Sequence, residues 1–112
     1  MEEWMEVTGN MLKIRAPEEL DHHSAEHIRR ESDEILARNN IRQIVFDFQK
    51  TVFMDSSGIG VIMGRYRNIR LTGGTVKAVH VGEQVVRILR VSGIHKVLEI
   101  EKDPAGKRRD RE

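Results

Sequence analysis

The apolar residues of the chain fall into short runs that switch between two periods. Ile44, Val45 and Phe46, with Phe48 just beyond, form a compact run of strand-forming residues, the pattern of a strand covered on both faces in a parallel sheet. From Ile59 the period becomes helical. Ile59, Ile62, Tyr66 and Ile69 recur at i, i+3, i+7 and i+10, with Arg65, Asn68 and, near its edge, Arg67 on the opposite side. Upstream, residues 4–7 and 11–15 read as two short strands around Thr8-Gly9-Asn10. Leu12 and Ile14 alternate there with Lys13 and Arg15, which predicts a hairpin toward a sheet edge.

Asp21 is a good N-cap for a helix running to about residue 38. Ala25, Ile28, Ser32, Ile35 and Leu36 form its inner stripe, Glu26, Arg29, Arg30, Asp33 and Glu34 its wet face, and Asn39-Asn40 its stop. Leu71-Thr72-Gly73-Gly74 ends the middle helix and a strand follows over residues 75–79. A helix is expected over 83–91 with Val85, Val86, Ile88 and Leu89 inward and Ser92-Gly93 closing it, then a short strand around Val97, Leu98 and Ile100. This alternation predicts an α/β fold, a mixed or mainly parallel sheet of about 4–5 strands with helices packed on it through right-handed crossovers.

Composition narrows the class. The 112 residues suffice for one domain, and the absence of cysteine removes disulfides and thiolate metal sites. The acidic start Met1-Glu2-Glu3-Trp4 lacks the apolar core of a signal peptide, and no stretch approaches the roughly 20 apolar residues of a membrane span. A cytoplasmic protein without membrane contact is the expectation. The net charge of +1 does not suggest nucleic-acid binding. Charge is nevertheless segregated: residues 1–36 hold ten Asp/Glu against four Lys/Arg, and residues 56–96 hold seven Lys/Arg against one Glu. Such asymmetry can steer a partner protein or simply pair surfaces within the fold. Residues 102–112 contain one alanine as their apolar content, which predicts a charged, solvent-borne tail after a domain of residues 1–101.

Candidate chemistry centres on residues 55–57. Asp55, Ser56 and Ser57 stand where the middle helix begins, and each has an oxygen able to cap it. One of them is surplus to capping. With Ser56 as the N-cap, Ser57 falls at N1 and its hydroxyl is left for chemistry. Gly58, Gly60 and Gly64 give G-x-G-x-x-x-G, one residue off the dinucleotide fingerprint; Gly60 and Gly64 read more simply as a smooth strip for close packing or partner approach. A small nucleotide-binding protein stays open as an alternative, since a helix N-terminus attracts phosphate. His23 to His27 match H-x-x-E-H formally, but no third ligand can be placed, so two solvated histidines on the wet side are expected, with no metal and no cofactor. There is no G-x-S-x-G and no cysteine nucleophile, and Asp47 reads as a strand-end polar residue. The chain reads as a substrate of enzymes, not as an enzyme.

The block from Phe53 to Tyr66, Phe-Met-Asp-Ser-Ser-Gly-Ile-Gly-Val-Ile-Met-Gly-Arg-Tyr, together with Asp21-His22-His23-Ser24-Ala25-Glu26, closely resembles the STAS-domain anti-sigma factor antagonists of the sporulation type. The likeness runs from about residue 8 to residue 101, with Glu18 where such proteins more often carry glycine. It implies a STAS-type domain that, unphosphorylated, binds an anti-sigma factor serine kinase in its ATP-bound or ADP-bound state and frees a sigma factor. It further implies phosphorylation of Ser57 as the inactivating event and a PP2C-type serine phosphatase that reverses it. Asp21, His22, Ser24, Met54, Asp55, Ser56, Gly58, Ile59, Gly60 and Met63 are the partner-binding residues that the resemblance suggests, with Ile59 and Met63 equally suited to the core. A STAS module of another, stress-response partner switch is the nearest alternative.

Overall fold

The computed structural model describes residues 4–102. In chain order the elements are β1 (Met5–Thr8), β2 (Met11–Arg15), β3 (Glu19–Leu20), α1 (His22–Arg38), β4 (Gln43–Asp47), β5 (Phe53–Met54), α2 (Ser56–Arg70), β6 (Thr75–Val81), α3 (Glu83–Ser92), a 3-10 turn at Ile94–Lys96, and β7 (Glu99–Lys102). Five strands form one mixed sheet in the order β1-β2-β4-β6-β7. β1 and β2 are the expected antiparallel hairpin at its edge, and every other neighbouring pair is parallel. The last strand begins two residues later than the pattern suggested, because Leu98 is buried ahead of it. It runs through Lys102, while the rest of the expected tail, 103–112, lies outside the described residues.

Alternation along the strands decides what each sheet face meets. Leu12, Ile14, Ile44, Phe46, Val76 and Ala78 join one core with Ala25, Ile28, Val61, Ile62, Ile69, Val85 and Leu89 of the three helices. Val45 points the other way and lies outside that core, although only 8% of it is exposed. Its cross-strand neighbours are Lys13 and Lys77, so charged side chains cover it, not a second helical layer. Both faces of β4 are thus covered, as its pattern predicts, the second by charged side chains. Cross-strand ion pairs lace the same face: Arg15 with Glu6 at 2.9 Å, Lys13 with Asp47 at 3.7 Å, and Lys77 with Glu101 at 2.6 Å. Asp47 is a strand-end polar residue as expected, but a buried one, whose Oδ1 accepts from Gln49 N–H and lies 3.0 Å from His80 Nδ1.

The inward stripe of α2 is Gly58, Val61, Ile62, Arg65 and Ile69, at i, i+3, i+4, i+7 and i+11. Arg65 therefore does not sit on the wet side. It is 4% exposed and reaches under α1, where Nη1 donates to Ser32 Oγ at 2.7 Å and to the Arg29 carbonyl at 3.2 Å, and pairs with Asp33 at 2.5 Å. Ser32, which is fully buried, in turn donates to the Ile28 carbonyl at 2.6 Å. The guanidinium is thus neutralised inside the α1–α2 interface by groups from one turn of α1. Removing it leaves those acceptors without their charged donor and opens a void, so Arg65→Ala is expected to cost about 2–4 kcal/mol. Arg65→Met, which refills the volume without a charge, should recover part of the loss. Urea unfolding midpoints check both, and an alanine variant as stable as the wild type would contradict this account.

Candidate functional site

The site is assembled by two strands of two residues each, which the hydrophobic pattern did not announce. β3 and β5 pair in parallel, with Leu20 opposite Met54. Glu18 carbonyl accepts from Val52 and Phe53 N–H, Asp55 N–H donates to the Leu20 carbonyl at 3.2 Å, and Thr51 Oγ1 donates to the Pro17 carbonyl at 2.8 Å. Glu18 needs no left-handed backbone to do this, since His80 is the one non-glycine residue with positive φ among the described residues. The register has a direct consequence. Asp21 follows Leu20 and Asp55 follows Met54, so two aspartates begin two neighbouring helices side by side, with nearly equal backbone angles (φ −104 and −101, ψ −170 in both).

Each aspartate caps its own helix. Asp21 forms a capping box in which its Oδ1 accepts from Ser24 N–H while Ser24 Oγ accepts from Asp21 N–H, all at 3.0 Å. The Ser24 backbone N–H and then its hydroxyl hold the Asp21 carboxyl below its ordinary value. A depressed carboxylate stabilises the fold above the unfolded-state value and stops doing so as pH falls through the folded one. The first turn of α1 should therefore fray as the pH drops below about 4. Faster exchange of the Ser24 amide than of amides in mid-helix reads this out.

Asp55 is the N-cap of α2, its Oδ1 accepting from Ser57 N–H at 2.8 Å and Gly58 N–H at 3.2 Å. This corrects the assignment of Ser56 as the cap: Ser56 is N1 and Ser57 is N2. Aspartate wins because its carboxylate reaches two N–H groups at the positive end of the helix. Neither serine hydroxyl is needed for capping. Ser56 is exposed; Ser57 is partly exposed, with Oγ 3.4 Å from His22 Nδ1 of α1. Ser57 and His22 line a shallow cleft of about 190 Å³ between the helices, shared with Ala25, Glu26, Arg29, Gly60 and Val61.

The suggested partner-binding residues divide in two. Asp21, His22, Ser56 and Gly60 are exposed, and Asp55, Ile59 and Met63 are partly so. Ser24, Met54 and Gly58 are buried and build the site from beneath. Gly58 shows why. A Cβ there would stand 2.9 Å from Leu20 Cγ, 2.9 Å from the Leu20 carbonyl and 3.0 Å from Met54 Cβ, so only glycine lets α2 start against the β3–β5 pair. At Gly60 and Gly64 a Cβ would meet nothing within 4 Å. His27 also departs from expectation, because its ring packs edge-to-face on Trp4 with centroids 4.8 Å apart and is not on the wet side.

Two residues beside the site were missed. Val52 and Phe53 are 47% and 49% exposed, immediately before the Asp55 cap. Strand alternation was the available signal, since Met54 inward forces Phe53 outward. The glycines supply a clean test of this geometry. Gly58→Ala should destabilise by about 1–3 kcal/mol through overpacking. Gly60→Ala, in open helix, should be neutral or stabilise by up to about 1 kcal/mol. The two urea midpoints should move in opposite senses or by clearly different amounts.

The STAS domain family matches residues 4–105, and the chain belongs to that family. Among its relatives, it is similar to the anti-sigma F factor antagonist of Paenibacillus polymyxa, 40% identical over 96 residues that span 86% of this chain and 82% of the relative. The anti-sigma F factor antagonist of Lysinibacillus sphaericus is 30% identical over 88 residues, 79% of this chain and 75% of that one. Of the solved structures, the anti-sigma factor antagonist SpoIIAA in its unphosphorylated form superposes with a TM-score of 0.73 at 26% identity, covering 96% of this chain and 94% of that one. The phosphorylated form of the Bacillus cell fate determinant SpoIIAA gives 0.70 at 27% identity, covering 94% and 96%.

Proposed function

We propose that this chain is an anti-sigma factor antagonist whose unmodified form docks on an anti-sigma factor that is also a serine kinase, thereby freeing a sigma factor of the sporulation type. Phosphorylation of Ser57 ends the association, and a PP2C-type phosphatase restores it. The observation that carries the reading is the Ser57 hydroxyl itself. It is partly exposed at the second position of α2, released from capping by Asp55, and set in the block that likens the chain to antagonists of known type. In the transfer, the Ser57 Oγ–P bond forms as the bond between the γ-phosphorus of ATP and ADP breaks, and the hydroxyl proton passes to the kinase.

The added group brings roughly −1.5 to −2 charges and three acceptor oxygens. Two helix N-termini converge there, so the fold accommodates the anion. The near-equal superposition of this chain on unphosphorylated and phosphorylated SpoIIAA, at TM-scores of 0.73 and 0.70, supports a switch without refolding. What changes is the surface around Phe53, Asp55, Ser56, Ile59, Gly60 and Met63: an apolar or acidic partner face that matched a neutral hydroxyl now meets a dianion. A partner switch with a different sigma factor is the weaker reading, since the likeness to the anti-sigma-B factor antagonist of Bacillus subtilis spans 48 residues, 43% of this chain.

Mass spectrometry after incubation with the cognate kinase and ATP should place one phosphate on Ser57. Ser57→Ala should keep binding within about threefold and take up no phosphate, and Ser57→Asp should weaken binding by at least about tenfold, a difference of about 1.4 kcal/mol. Phosphate on Ser56 in the Ser57→Ala protein would refute the site.

A further inference from the structure

The imidazole of His22 stands over the Ser57 hydroxyl, and the charged groups around it are already engaged. On its own helix Asp21 is held by Ser24, and Glu26 is paired with Arg29, which also reaches Asp33 at 3.4 Å. From the neighbouring element Asp55 faces the same mouth, with Oδ1 occupied by the Ser57 and Gly58 N–H groups. Among the described residues the His22 ring has Ser57 as its side-chain hydrogen-bond partner, Nδ1 to Oγ at 3.4 Å, and Glu26 shares the cleft with it. Gly60 keeps the adjoining cleft open, since nothing lies within 4 Å of the Cβ it lacks.

Resting on the reading of Ser57 as the phosphoacceptor, we propose that His22 is the positioning residue for that group. It accepts the hydroxyl proton as a hydrogen bond before transfer, and afterwards, having taken a proton from solvent, donates to the phosphoserine. The geometry favours this sequence. A phosphoryl oxygen lies two bonds beyond Oγ, within reach of the cleft that Nδ1 borders, and histidine is the side chain whose charge changes near neutral pH. A phosphate dianion at this spot gives a charged imidazole a partner of opposite sign. His22 would then draw the phosphate down onto the protein's own surface, away from a partner.

The test installs phosphoserine at position 57 during translation, so that no kinase chooses the site, and follows its second ionisation by 31P NMR. Ordinary phosphoserine ionises near pH 6. In the otherwise wild-type protein the midpoint should lie lower than in His22→Asn by about half a unit or more, because asparagine keeps a donor near the Nδ1 position but no charge. His22 is exposed at the first turn, so thermal unfolding should be unchanged. His23→Asn, one residue along and also exposed, should titrate like the wild type. Equal midpoints in the wild type and His22→Asn would overturn the proposal, as would an equal shift in His23→Asn, which would reduce the effect to net charge. A kinase that phosphorylates a different residue would sink the functional reading and leave this titration standing.

Discussion

The pairing of Leu20 with Met54 is the constraint on which the site depends. Two residues per strand contribute little stability, and an isolated pair of that length would not persist in water. It persists because both ends are pinned from outside. Leu20 and Met54 are buried, at 0% and 2% exposure, and Gly58 closes over them without a Cβ. Two loops 34 residues apart, those of Pro17 and Thr51, are thereby locked together. Once that register is set, Asp21 and Asp55 are neighbours by geometry, the two helices must start together, and His22 is carried to Ser57.

A second consequence concerns how the helices stay aligned below the site. Helices that start side by side in the same direction bring like dipole ends together, which is unfavourable. Further along, the α1–α2 interface is held by a buried cation. Arg65 joins its own helix to the Arg29 carbonyl, Ser32 and Asp33 of the neighbour. The same turn of α1 thus contributes Arg29 to the cleft beside Ser57 and a carbonyl to the lock beneath it. Site and interface share a turn of helix, which keeps the cleft's shape fixed by buried contacts while its mouth is exposed.

Most of the architecture was legible in the sequence because it rests on long periodic runs. The hairpin, the five-stranded mixed sheet, the span of α1 with its Asp21 cap, and the positions of α2 and α3 follow from alternation, helical spacing and stop residues. What escaped detection has physical causes. β3 and β5 are too short for any period, and their pairing is a tertiary event. Arg65 was placed outside because charge suggests water, yet its burial depends on partners 32 to 36 residues away. The same holds for Gly58, whose role depends on Leu20 across the fold. At the helix start, local pattern allowed three caps, and only the backbone geometry separates Asp55 from Ser56.

For the phosphorylation proposed at Ser57, these elements give a physical account of how one small group would act without moving the scaffold. A dianion usually destabilises by desolvation or by repulsion from nearby carboxylates. Here Asp55 is two residues away, but its Oδ1 is committed to the first-turn N–H groups. Glu26 in the same cleft is paired with Arg29, and two helix N-termini, with His22 when its ring is charged, favour an anion there. Under the proposed function, the chain would tolerate the modification for the same reason that a docked partner would not. The charge sits where the protein's own dipoles point outward, and a surface fitted to the neutral hydroxyl has nothing with which to replace the lost water.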